Sequence, residues 1–168
     1  MSTGGVATFV PVLGLALLAG TACGSSVPTS NTPSSSAPTI AAASKPLGTT
    51  ITTPSGIYTV LALQPVQPKS NADTPNPGGA FFAADVRECS GSGQSLAVDP
   101  TQWLAVFSGN NQAQGRDASG VATPGAPLTA ATVTPGQCVE GWVAFTGFAD
   151  GSAREVHLTG ASSWWAVP

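Results

Sequence analysis

Residues 134–145 read T-P-G-Q-C-V-E-G-W-V-A-F. The Pro-Gly pair marks a turn, because proline fixes φ and glycine accepts the left-handed region. Beyond the turn the residues alternate. Val139, Gly141, Val143 and Phe145 fall on one side of an extended chain, and Cys138, Glu140 and Trp142 on the other. Period-two alternation is the mark of a half-buried strand, and the first set forms its core face. Residues 80–86 (A-F-F-A-A-D-V) repeat the pattern. Here Phe82, Ala84 and Val86 make the core face, opposite Phe81, Asp85 and Arg87.

Further short β-type runs lie on either side of these two. They cover residues 57–63 (I-Y-T-V-L-A-L), 101–107 (T-Q-W-L-A-V-F), 155–158 and 164–167, with a weaker run at 128–133. Pro, Asn, Asp and Gly fill 65–79, a Gly/Ser turn falls at 90–94, and 110–125 is a polar, Gly-rich meander. No window has the 3.6-residue period of an amphipathic helix. Six to eight short strands separated by turn signals imply an all-β sandwich or barrel. The 20 glycines and 15 prolines in 168 residues agree with a fold made of corners.

The chain before residue 47 has a different character. Residues 10–19 (V-P-V-L-G-L-A-L-L-A) form an apolar run about half the roughly 20 residues a membrane-spanning helix needs. That is the length of a signal-peptide core. Gly20, Thr21 and Ala22 come next, then Cys23. The segment resembles a bacterial lipoprotein signal. Residues 1–22 would be removed and the Cys23 thiol would carry a diacylglyceryl thioether, with fatty chains such as palmitate. Gly20 stands where such signals usually carry a large aliphatic residue, and residues 1–8 hold no Lys or Arg. Ordinary cleavage after Ala22 is therefore the rival reading, and an uncleaved buried helix the third. Cysteine parity favours lipidation. With Cys23 lipidated, the other two cysteines, Cys89 and Cys138, remain as a pair. Two or more acyl chains anchor stably where one does not. Residues 24–46 are mostly Ser, Thr, Pro and Ala, too poor in apolar bulk to offset ordering entropy. Residues 23–46 thus read as an anchor and disordered stalk, and 47–168 as the folded domain.

Cys89 and Cys138 fall off the core phase, each at a strand end. An oxidising compartment makes them a disulfide at the sandwich rim, and two separate buried thiols are the alternative. Closing a loop of about 50 residues is worth roughly 4 kcal/mol in the chain-entropy model.

Residues 56–64 (G-I-Y-T-V-L-A-L-Q), 81–88 (F-F-A-A-D-V-R-E) and 134–145 together resemble the immunoprotective extracellular antigen superfamily. The most telling element is the Pro135-Gly136 turn leading into x-x-V-x-G-x-V-x-F. The resemblance spans about residues 47–168. It implies an immunoglobulin-like antiparallel sandwich of about seven strands, as in exported domains of Gram-positive bacteria. Its motifs are structural, so no functional residue comes with it. One departure is E-C-S-G-S-G at 88–93, where many relatives carry Asn at the strand end.

The residues bound the chemistry. Lys45, Lys69, Arg87, Arg116 and Arg154 are scattered, and the formal net charge is −3. A nucleic-acid binder needs a basic stripe, so that class is set aside. The only histidine, His157, shares its face with Glu155, too few ligands for a metal site. Neither G-x-G-x-x-G nor a P-loop occurs, and no cofactor is expected. No G-x-S-x-G element accompanies His157, so no catalytic residue is assigned. Among the acids, Asp85 and Glu140 are both mid-strand and off the core phase. With Trp142 on the same phase they form the candidate exposed binding face. Trp164 and Trp165 must point to opposite faces of an extended chain. The leading expectation is a monomeric, non-enzymatic binding domain held to the membrane through Cys23, with an unknown protein or cell-wall partner. The second is a small-ligand or carbohydrate site, binding or hydrolytic, where Asp85, Glu140 and Trp142 would line a cleft.

Overall fold

The computed structural model describes residues 43–70, 79–147 and 151–168. The signal segment, Cys23 and most of the stalk lie outside the described residues, as do Asp73 and Asp150. Among the described residues the chain forms β1 (Ser44–Pro46), β2 (Thr50–Thr52), β3 (Ile57–Val66), β4 (Phe81–Cys89), β5 (Leu96–Val98), β6 (Trp103–Phe107), β7 (Gln112–Gln114), β8 (Arg116–Asp117), β9 (Ala131–Val133), β10 (Cys138–Thr146), β11 (Ala153–Leu158) and β12 (Trp164–Ala166). No α-helix interrupts them.

The strands make two five-stranded sheets, ordered β2-β3-β4-β10-β8 and β1-β12-β11-β6-β7, and a β5-β9 ribbon. The all-β sandwich expected from the alternation is what forms. β4 is the hub of its sheet, antiparallel to β3 from Ile57↔Cys89 to Val66↔Phe81 and to β10 from Cys138↔Cys89 to Thr146↔Phe81. Leu61 slips out of register in a bulge between Val60 and Ala62. An unpaired bulge residue need not face the core, and Leu61 is the one large hydrophobic side chain exposed among the described residues.

One strand pair departs from the antiparallel pattern, because β1 runs parallel to β12. The first and last strands meet at a sheet edge, joined through the whole intervening domain, as a parallel pair requires a long crossover. β1 also falls within residues 23–46, which composition assigned to the stalk. An edge strand needs only backbone partners on one side, a demand that composition does not register.

The phases hold. Ala84, Val86, Val143 and Phe145 are fully buried between the sheets, with Trp103, Phe107, Val156 and Trp165 from the facing sheet. Trp103 lies 5.6 Å from Trp165 and meets Tyr58 edge-on at 6.2 Å, centroid to centroid. Trp165 donates its indole N–H to the Thr49 carbonyl (2.6 Å). Trp164 points the other way and stacks on His157 at 5.2 Å. The Pro135-Gly136 turn closes with Gln137 N–H donating to Thr134 O (3.1 Å). Gly136 sits at φ +76°, which a type II turn requires of its third residue. Directly after it Cys138 faces Cys89 across the ladder, and the two form a disulfide. It ties neighbouring strands of one sheet at the rim, not the two sheets through the core.

Candidate functional site

The β4 sheet has a second face, and part of it is covered. Residues 116–128 fold back over it and are fastened in three places. β8 pairs with Val143 and Ala144 of β10. Lys69 N–H donates to Gly120 O (2.9 Å), and Ala122 N–H to Gln67 O (2.8 Å). Further on, Trp142 N–H donates to Ala126 O and Leu128 N–H to Trp142 O, each at 2.9 Å. Under this cover Val66, Phe81, Ala83, Ala118, Val121, Trp142 and Ala144 form a small second core. The Arg116 guanidinium caps it, 4.8 Å from the Phe81 ring centroid.

This corrects the expected exposure of Trp142. Its phase is as read, off the inter-sheet core, but the residue is only 6% exposed because the Gly-rich meander lies over it. The three residues of the candidate face nevertheless come together. Asp85 and Trp142 are directly opposite in register, and Glu140 is two residues from Trp142 on the same face. With Pro124 and Gly125 from the cover they line an open hollow of about 280 Å³. Glu140 is opposite Arg87, whose Nε and Nη2 donate to Glu140 Oε2 at 3.0 and 2.9 Å. Asp85 is half-buried and receives no hydrogen bond from a described residue. Desolvation raises its pKa above the ordinary carboxylate value, the Glu140 charge adds to this, and Arg87 opposes it.

His157 lies outside this site. Its Nε2 is 2.7 Å from Glu155 Oε2, on the outer face of the β6 sheet. Among the described residues no group of three or more His, Cys, Asp or Glu side chains gathers as metal ligands.

One notable residue was missed at the sequence level. Glu88 is 1% exposed and points between the sheets. Its Oε1 accepts from Trp103 Nε1 (2.8 Å), and Oε2 has no partner among the described residues. Burial pushes its pKa up to about 7. The Trp103 hydrogen bond works against that shift and the Asp99 charge adds to it. The signal was available, since Glu88 continues the Phe82, Ala84, Val86 phase.

The molecule is therefore a two-sheet β-sandwich with a rim disulfide and one partly covered outer face. No family model and no curated protein matches the chain. Its fold is similar to that of the secreted protein MPT63 from Mycobacterium tuberculosis, with 16% identity and a TM-score of 0.52 over 74% of this chain and 96% of that one. Also similar are the yjhA protein from Bacillus subtilis (14% identity, TM-score 0.45, 60% of this chain and 70% of that one) and a functionally unknown protein from Listeria monocytogenes (13%, 0.43, 67% and 70%). At such identities the likeness is one of fold alone.

Proposed function

We propose that this protein is an exported cell-envelope lipoprotein of the immunoprotective extracellular antigen superfamily. Its lipid at Cys23 holds a monomeric, non-enzymatic immunoglobulin-like binding domain outside the membrane. The observation that carries the proposal is the Cys89–Cys138 disulfide. It uses two of the three cysteines and leaves Cys23 as the odd one, three small residues beyond a signal-like apolar run. A disulfide belongs to an oxidising compartment, and the same fold serves a secreted mycobacterial protein.

Intact mass of the membrane-extracted protein tests the anchor. A chain beginning at Cys23 with a diacylglyceryl group, and two cysteines alkylated only after reduction, is the expected result. An unlipidated chain in the medium overturns the anchor, and free alkylation of Cys89 overturns the bond.

The convergence of Asp85, Glu140 and Trp142 on one hollow favours a small ligand there as a second reading. A hydrolase would need both carboxyl groups committed to a substrate, whereas Glu140 is already engaged by Arg87. The reading is thus of binding without turnover.

A further inference from the structure

The Trp142 indole is buried, yet its N–H donates to no described residue. The other two deeply buried indoles both donate, Trp103 to Glu88 and Trp165 to Thr49. Water reaches that N–H, because the buried unpartnered side-chain atoms among the described residues are Glu88 Oε2 and Trp164 Nε1, so a ligand gains there by reproducing the bond that water makes. Gly125, a residue of the hollow wall, packs against the edge of that indole. A Cβ at that position would stand 2.9 Å from Trp142 Nε1 and 3.2 Å from Cδ1. Gly125 is not in the left-handed region, so backbone conformation does not demand glycine there. What the glycine permits is the close approach of the wall to the indole edge.

The polar groups around the hollow select the ligand. Trp142 Nε1 can only donate, and the Asp85 carboxylate, which lacks a hydrogen-bond donor, can only accept. A cation cannot accept from the indole. An anion meets two carboxylates against one guanidinium. An apolar group leaves both Asp85 and the indole unpaired. Groups that accept and donate together are required, and adjacent hydroxyl groups do this on one small ring. An amide has the same two functions. However, β-proteins read peptides by adding a strand to a free edge, and the β10 edge beside the hollow is taken by the backbone of residues 126–128. A volume of about 280 Å³ lies at the small end of ligand pockets and suits one ring rather than an extended chain.

We infer that this hollow binds a single neutral sugar residue, one hydroxyl accepting from Trp142 Nε1 and its neighbour donating to Asp85. Arg87 and Glu140 form the polar rim. This deepens the second reading above and is independent of the lipid anchor, whose mass-based test can succeed or fail separately.

The test is an NMR titration of the full chain labelled with 15N-tryptophan, following the four indole N–H signals. The Trp142 signal is assigned by its loss in Trp142→Phe. The probes are glucose, galactose, arabinose and N-acetylglucosamine at millimolar concentration, with putrescine and glycinamide as the cationic and amide alternatives. A saturable shift of the Trp142 signal with at least one sugar is expected, with the Trp103 and Trp165 signals unmoved. Gly125→Ala pushes its methyl against the Trp142 indole edge and should weaken that sugar about tenfold or more, the loss of one well-made hydrogen bond. Asp85→Asn removes the acceptor charge without adding bulk. It should weaken binding comparably, and it carries the test if Gly125→Ala does not fold. No shift with any sugar, or a shift with putrescine or glycinamide alone, overturns the inference. So does undiminished sugar binding in both variants.

Discussion

Glu88 makes the domain's stability depend on pH in an unusual sense. A carboxyl group titrates near 4.5 when exposed, and burial between the sheets moves Glu88 to about 7. Between these values the folded state keeps a proton that the unfolded chain has released. Stability then falls as pH rises through that window and levels off above about 7. The displacement corresponds to about 3 kcal/mol, a large share of the 5–15 kcal/mol total typical of a domain. On thermal melting this is roughly 10 °C for a chain of this size. The structural reason is the single Trp103 N–H that Glu88 has for its charge, with Oε2 unpartnered. The assay is urea unfolding of the disulfide-intact protein from pH 4 to 8, beside Glu88→Gln. The glutamine keeps an oxygen for Trp103 and mimics the protonated acid. It should match the parent within about 1 kcal/mol near pH 4.5 and exceed it by about 2–3 kcal/mol at pH 8. Asp85, also raised, slopes the same way. Asp99, lowered chiefly by the Thr101 backbone N–H, acts oppositely, losing its contribution as pH falls. Both remain in the variant, so the difference between the two curves isolates Glu88. A constant difference across the range, or a parent that gains stability from pH 5 to 7, refutes the reasoning.

Three other outcomes are expected. Replacing Cys89 and Cys138 by alanine, 49 residues apart, should cost about 4 kcal/mol in chemical denaturation, with no further loss when reductant is added. Trp142→Ala empties the outer core and should cost about 3–5 kcal/mol, whereas Trp164→Ala, outside both cores, should cost under about 1 kcal/mol in the same assay. The Arg87–Glu140 pair, with side chains 53% and 44% exposed, should show a double-mutant coupling below about 1 kcal/mol that shrinks with added salt.

What could be read from residues alone was whatever has a two-residue period. Val143 and Phe145 alternate with Trp142, and the strand and its inward face result from sterics before any partner strand is known. The rim position of the cysteines was legible too, because both fall off phase at strand ends. The opposite fates of Trp164 and Trp165 needed only their adjacency. Ser44–Pro46 escaped because an edge strand bonds through its backbone, on which the side chains are silent.

Period gives a face, but it does not say what covers that face. Trp142 and Asp85 share one side of the β4 sheet, and nothing local separates a solvated indole from a roofed one. The answer lies in residues 116–128, whose turn-rich composition suggests a loose meander. Its fixing depends on backbone bonds to Gln67, Lys69 and Trp142, partners that lie outside the segment itself. The same roof that buries Trp142 also supplies Pro124 and Gly125 as the wall of the hollow. Cover and site are therefore one structural event, and a site made this way has no contiguous motif. Only the shared off-core phase of Asp85, Glu140 and Trp142 pointed toward it.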